Sequence, residues 1–215
     1  VGTIKDLIKY KLEKIDLVQK VSQSKLPTKY GMFNAHVFRS NIDSNEHLAL
    51  TMGEIDENET IMVRVHSECL TGDTLFSSKC DCGSQLENAM KIIAENQSGV
   101  LLYMKGHEGR GIGLGNKIKA YSYQDDGDDT VEANMRLGFP PDMRDYGIGA
   151  QILRKLNVKS MNLLTNNPKK RAGLEGFGLE IKKRTPLISP ETIESKEYIY
   201  TKKTKLGHLF GEDDD

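Results

Sequence analysis

Cys69, Cys80 and Cys82 are the only cysteines in the 215 residues, and they share one short run, Glu68-Cys-Leu-Thr-Gly-Asp-Thr-Leu-Phe-Ser-Ser-Lys-Cys-Asp-Cys82. Thiolates clustered in this way suit a zinc ion. Their number carries information, because a structural zinc site is closed by four protein ligands while a catalytic one keeps a position open for water or substrate. One zinc per chain with an activated water is therefore expected, and the chemistry is hydrolysis. Two alternatives stay open at this stage. His66, three residues before Cys69, could close the site as a fourth ligand, or the three cysteines could be reduced and structural.

Three further segments have the composition of ligand loops. Lys105-Gly-His-Glu-Gly-Arg-Gly-Ile-Gly-Leu-Gly-Asn-Lys117 follows an apolar run and precedes a helical pattern. Glycines there let backbone N–H groups approach an anion. The segment lacks the Gly-Lys-Ser/Thr ending of a Walker loop, and its glycine spacing is a poor dinucleotide fingerprint. Residues 121–146 are too polar for core and too long for an idle turn, so they read as a functional loop or a solvated acidic one. Leu163-Leu-Thr-Asn-Asn-Pro-Lys-Lys170 ends an apolar run with a hydroxyl, amides and lysines. In open α/β sheets ligands bind at such carboxyl ends of strands.

The elements that must position these loops change character along the chain. Thr3 to Val21 shows apolar residues at helical spacing and predicts an amphipathic helix; Lys25 to Gly31 breaks it. Met32–Arg39, His47–Met52 and Thr60–His66 read as strands separated by turn residues, an antiparallel meander feeding the cysteine loop. A helix is expected up to about Asn96, then a buried strand over Gly99–Met104. Helices at Ala150–Leu156 and Pro168–Phe177 alternate with strands at Ser160–Thr165 and Leu179–Leu187. The expected fold is α/β, a layered mixed sheet flanked by helices with an N-terminal antiparallel meander.

A formal net charge of −1 excludes a general nucleic-acid binder, which needs a basic stripe. No apolar run approaches the roughly 20 residues of a membrane span, and no signal-peptide pattern is seen. The odd, clustered cysteines point to a reducing compartment. The chain starts at Val1 and not Met, as expected of a stretch cut from a longer protein.

Arg64-Val-His-Ser-Glu-Cys-Leu-Thr-Gly-Asp73, Cys80-Asp-Cys-Gly, Gly106-His-Glu-Gly-Arg-Gly-Ile-Gly-Leu, Asp129-Thr-Val-Glu-Ala-Asn134 and Leu164-Thr-Asn-Asn-Pro-Lys-Lys170 together resemble GTP cyclohydrolase II, over about residues 25–210. The resemblance implies the first committed step of riboflavin synthesis. In that reaction GTP loses C8 as formate and also releases pyrophosphate, leaving 2,5-diamino-6-ribosylamino-4(3H)-pyrimidinone 5′-phosphate. It implies Cys69, Cys80 and Cys82 as zinc ligands, Asp142 as proton acceptor, Arg144 as nucleophile at the α-phosphate and Tyr121 as an assisting group. A protonated guanidinium suits clamping phosphate oxygens better than attacking them, so the covalent step stays open. For GTP it implies Arg64, Val65, His66, Ser67, Glu68, Gln85, Glu108, Gly109, Arg110, Thr130, Thr165 and Lys170, with Mg²⁺ arriving on the triphosphate. Lys105 departs from the pattern, which more often has Arg.

The resemblance also implies a homodimer, without nucleic-acid or membrane partners, that is cytoplasmic or, after removal of a transit peptide, plastid. In some members this domain follows a 3,4-dihydroxy-2-butanone 4-phosphate synthase domain. Residues 1–24 resemble the linker or tail of such a fusion, residues 25–210 the cyclohydrolase domain, and residues 211–215 a disordered acidic tail. A cyclohydrolase that stops early and a non-catalytic nucleotide-binding module are the rival readings.

Overall fold

The computed structural model describes residues 15–189 and 192–211. Its strands are β1 (Val18–Thr28), β2 (Gly31–Ser40), β3 (Glu46–Met52), β4 (Thr60–Ser67), β5 (Gly99–Met104), β6 (Ser160–Leu164) and β7 (Glu180–Thr185). They form one mixed sheet in the order β1-β2-β3-β5-β4-β6-β7. The pairings β1–β2, β2–β3 and β3–β5 are antiparallel, and β5–β4, β4–β6 and β6–β7 are parallel. The helices are α1 (Leu70–Asp73), α2 (Cys82–Asn96), α3 (Gly113–Asp125), α4 (Thr130–Arg136), α5 (Gly147–Lys155), α6 (Pro168–Glu175) and α7 (Lys196–Thr204), with a single 3-10 turn at Glu108–Arg110. Among the described residues no helix is long and apolar enough to cross a membrane.

The α/β class and the mixed sheet are as expected, with two local corrections. The helix expected over residues 3–21 lies outside the described residues up to position 14, and from Val18 onward the chain is strand. Pairing with β2 along the whole of β1 overrides the helical spacing. The side chain of Gln151 fastens the strand's approach, accepting from Leu17 N–H and donating to Ile15 O, both at 2.9 Å. The second correction concerns β4, which leaves the meander and runs parallel between β5 and β6. Its two faces explain the move: Ile61, Val63 and Val65 are buried in core, while Arg64 and His66, equally buried, face the opposite side. Residues 212–215, expected as an acidic tail, lie outside the described residues.

The sheet has a core on each face. Val63, Val65, Leu102, Met104, Leu153 and Leu163 pack with α5 and α6 on one side. Phe33, Leu50, Leu101 and Leu164 pack with Ala89 and Ile93 of α2 on the other. Strands β4, β5 and β6 all end on one edge, where the cysteine loop, the glycine loop and Thr165 to Lys170 emerge.

Candidate active site

Period-two alternation along β4 sends Arg64 and His66 to the α2 face, and two residues past its end the chain turns into Cys69. Cys82 opens α2, so both ends of the loop are held by regular structure. The three sulfurs lie within 4.8 Å of one another, and Cys69 Sγ is 3.7 Å from Cys80 Sγ. A tetrahedral ion with sulfurs at about 2.3 Å would space them about 3.8 Å apart, so the set fits zinc. Gly72 makes room for it: a Cβ there would sit 2.8 Å from Cys80 Sγ and 3.2 Å from Cys69 Sγ. Hydrogen bonds from Cys80 and Cys82, reinforced by Lys117, hold the Cys69 thiol far below its ordinary value. Their hydrogen bonds to Cys69 push Cys80 up to about 11 and Cys82 well above its ordinary value. A divalent cation relieves that conflict, because a coordinating thiol is deprotonated outright.

His66 does not join the cysteines. Its Nε2 sits 3.0 Å from an Asp73 carboxylate oxygen, and its Nδ1 lies 3.5 Å from an Arg64 nitrogen. Asp73 also accepts from Tyr103 OH at 2.7 Å and Cys69 N–H at 3.0 Å. Both ring nitrogens of His66 thus have partners, and the closed four-ligand alternative is not what this geometry builds.

Lys117, on the first turns of α3, was not singled out by the sequence. Its buried ammonium donates to Cys69 Sγ at 3.0 Å, Thr71 Oγ1 at 2.7 Å and Glu108 Oε1 at 2.6 Å. Burial opposes its charge, and Glu108 and Cys69 more than offset that, raising its pKa. Glu108, expected on substrate, has its other oxygen taken by Leu70 N–H at 2.7 Å. Tyr121 OH stands 3.4 Å from Thr71 Oγ1, beside this cluster.

The glycine loop takes an unusual path. Gly109, Arg110, Gly111 and Gly113 all have positive φ, Arg110 at 65°. A non-glycine residue in that region is strained, and strain of this kind gathers at functional sites. The loop leaves both terminal nitrogens of Arg110 buried without a hydrogen-bond partner. Arg64 is buried too; it donates to Gln85 Oε1 at 2.7 Å and Leu164 O at 2.9 Å, and burial pulls its pKa down to about 10. Lys170, just inside α6, donates to Val65 O at 2.7 Å. Burial and the neighbouring Arg64 and Arg144 hold it well below the ordinary lysine value. No carboxylate among the described residues forms an ion pair with Arg64, Arg110 or Lys170, and these three buried basic side chains face one cavity.

Asp142 and Arg144 form a bidentate pair, Nε to Oδ1 at 2.8 Å and NH2 to Oδ2 at 2.6 Å. Burial opposes both charges; each nevertheless holds the other ionised, with Asp142 below and Arg144 above its ordinary value. Arg144 NH1 also reaches Ser67 Oγ at 3.3 Å, which in turn lies 3.1 Å from His107 Nδ1. Burial, then Arg144 and Lys170, pushes His107 down to about 3.

The predicted residues therefore converge, with differences in kind. The cysteines, Arg64, His66, Ser67, Glu68, Gln85, Gly109, Arg110, Tyr121, Thr130, Arg144, Thr165 and Lys170 all line the cavity. Val65 offers only its backbone, since its side chain is in the core. Glu68 is engaged by Lys105, the residue that departed from the family pattern, and accepts from Gly106 N–H at 2.9 Å. Lys117, His107, Asn134, Tyr198, Lys202 and His208 line the cavity without having been predicted. For Lys117 the signal was its place at the end of the glycine run; the last three lie in a polar stretch with no apolar period.

A family model described as GTP cyclohydrolase II matches residues 19–186. A riboflavin biosynthesis protein RibBA of Aquifex aeolicus is 57% identical over 97% of this chain and 51% of its own length. A probable monofunctional riboflavin biosynthesis protein of Oryza sativa subsp. japonica, named chloroplastic, is 54% identical over 98% of this chain and 39% of its own. A bifunctional, chloroplastic riboflavin biosynthesis protein of Arabidopsis thaliana shows the same identity and coverage, 54%, 98% and 39%. The chain thus spans about two fifths to half of these relatives' length. A crystal structure of RibBX, a two-domain 3,4-dihydroxy-2-butanone 4-phosphate synthase from A. baumannii, is similar at a TM-score of 0.52 and 28% identity, over 86% of this chain and 45% of that one.

Proposed function

The chain belongs to the GTP cyclohydrolase II family, and from that membership we propose that it hydrolyses GTP, releasing C8 as formate together with pyrophosphate and leaving the diamino-ribosylamino-pyrimidinone 5′-phosphate. The observation that carries the reading is the meeting, in one cavity, of three buried basic side chains without an ion-pair partner and a three-cysteine cradle. The first answers a polyanionic triphosphate, and the second answers a hydrolytic metal. Cys69, Cys80 and Cys82 would hold zinc, which would supply Lewis acidity to a bound water, tempered by the negative charge of three thiolates.

In this proposal Arg64, Arg110 and Lys170 bind the anion, while Gln85 and Glu68 would read the purine edge, exchanging their present bonds to Arg64 and Asp81 and to Lys105 and Gly106 N–H. Asp142 accepts a proton. It is ionised as required, but its lone pairs are held by Arg144, so a phosphate drawing Arg144 away would free it. That exchange favours Arg144 as an electrostatic clamp over a nucleophile, since its guanidinium is held protonated. Glu108 supports Lys117 in place of contacting base. Mg²⁺ is expected to arrive with the triphosphate, which leaves it several waters.

Relatives of equal identity are named monofunctional and bifunctional. Similarity by itself therefore does not separate an active domain from one that only binds nucleotide, and the intact cavity favours the active one. Product analysis by mass spectrometry after incubation with GTP and Mg²⁺ separates the two. Formate and pyrophosphate are expected; GTP bound with C8 retained would establish the non-catalytic reading. A homodimer, a fused synthase domain and a cytoplasmic or plastid location belong to the same proposal; relatives named bifunctional support a fusion, and those named chloroplastic support the plastid.

A further inference from the structure

The C-terminal segment lies beyond the residues matched by the family model, yet it carries side chains into the same cavity. Tyr198 and Lys202 are four residues apart on α7 and share a helix face, and His208 follows where the chain turns back. Three of the ligand-bearing loops are tied to this segment by hydrogen bonds or ion pairs. Thr192 Oγ1 donates to Ser78 O at 3.3 Å, and Lys202 Nζ donates to Asp81 Oδ1, between two of the cysteines, at 2.5 Å. Lys205 reaches Asp129 and Glu132, the capping box of α4, the latter at 2.8 Å. Leu209 N–H donates to Asn166 O at 2.8 Å. Three loops that are remote in sequence are thus closed by one strap, and the Tyr198 ring approaches a fourth, the glycine loop.

Two of its side chains meet unsatisfied groups. The Tyr198 ring lies 5.8 Å from Arg110 Cζ, bracing a guanidinium whose terminal nitrogens have no partner. His208 Nδ1 is likewise buried without a partner. A neutral imidazole suits a cavity already crowded with cations, since it can donate N–H to an anionic oxygen without adding charge.

We propose that residues 192–211 form the closing wall of the nucleotide site, with His208 a direct ligand of the triphosphate and Tyr198 a positioning residue for Arg110. Lys202 acts at one remove, holding the wall to the cysteine loop through Asp81. The inference rests on the reading of this cavity as the GTP site. Burial, then Lys202, Arg110, Lys170 and Arg144, pushes the His208 pKa down to about 2, in keeping with a neutral ring.

The test is calorimetric binding of a non-hydrolysable guanosine imidotriphosphate with Mg²⁺ to the zinc-loaded chain and its variants. His208→Ala and Tyr198→Ala should each weaken binding about tenfold, the worth of one hydrogen bond to a charged group, with circular dichroism unchanged. Tyr198→Phe should restore it, since the ring and not the hydroxyl braces Arg110. Tyr200→Ala, on the exposed side of the same helix, should bind as the parent does. Parent-like binding by both His208→Ala and Tyr198→Ala would overturn this inference alone. No binding by the unaltered chain would remove the GTP-site reading and this inference with it.

Discussion

At the scale of single residues, the site depends on how buried charges are shared. Lys117 serves a cysteine, a threonine and a glutamate at once, so it fixes Cys69 and offsets part of the thiolate charge. Lys117→Met should weaken zinc affinity about 10–100-fold in competition with a chelator, as outer-shell losses commonly do. Unchanged affinity would show that the ammonium is incidental. Asp142 and Arg144 give a pH dependence with a definite sign. The folded-state pKa of Asp142 lies below its ordinary 3.8, so the pair stabilises the fold fully above that value and loses this as pH falls below it. The melting-temperature gap between the parent and Asp142→Asn should therefore be widest near neutrality and shrink in acid; a gap that grew in acid would contradict the assignment. The cysteines were legible from type and spacing alone, and the motif residues from resemblance. For Glu108, assigned to the substrate by resemblance, the sequence could not show that Lys117 and Leu70 N–H bond to its two oxygens.

At the scale of elements, three parallel strands ending on one edge bring distant loops together. Gly72 shows how closely the local fold is fitted to the metal cradle. Gly72→Ala places a methyl group 2.8 Å from Cys80 Sγ, and it should cost stoichiometric zinc while leaving far-ultraviolet circular dichroism intact. Full zinc retention would mean that the loop yields without consequence. The buried runs over Gly99–Met104 and Ser160–Leu164 were readable as strands because both faces are covered. Two elements were not readable. β1 carries exposed polar residues along most of its length, and only its pairing with β2 makes it a strand. α7, KEYIYTKKT in sequence, has a single aliphatic residue, Ile199, and is held by ion pairs that no periodicity announces.

At the scale of the molecule, cores on both faces of the sheet hold the binding edge in place. Leu153, fully buried in the core that α5 shares with the sheet, bears on that directly: Leu153→Ala should lower unfolding stability by about 2–5 kcal/mol in urea titration. A loss under about 1 kcal/mol would show that the core collapses around the gap. The layered α/β architecture followed from the alternation of apolar runs with helical stretches. The parallel placement of β4 did not, because strand order is set by which loops and faces must meet. The central claim is that the three cysteines hold a metal required to open the GTP ring. It is tested most directly by measuring zinc content and formate release from GTP with Mg²⁺, for the intact chain and Cys82→Ser side by side. The account predicts about one zinc per chain and formate from the intact protein, with both lost in the variant. Formate released equally by both proteins, or zinc bound without any formate from the intact chain, would contradict it.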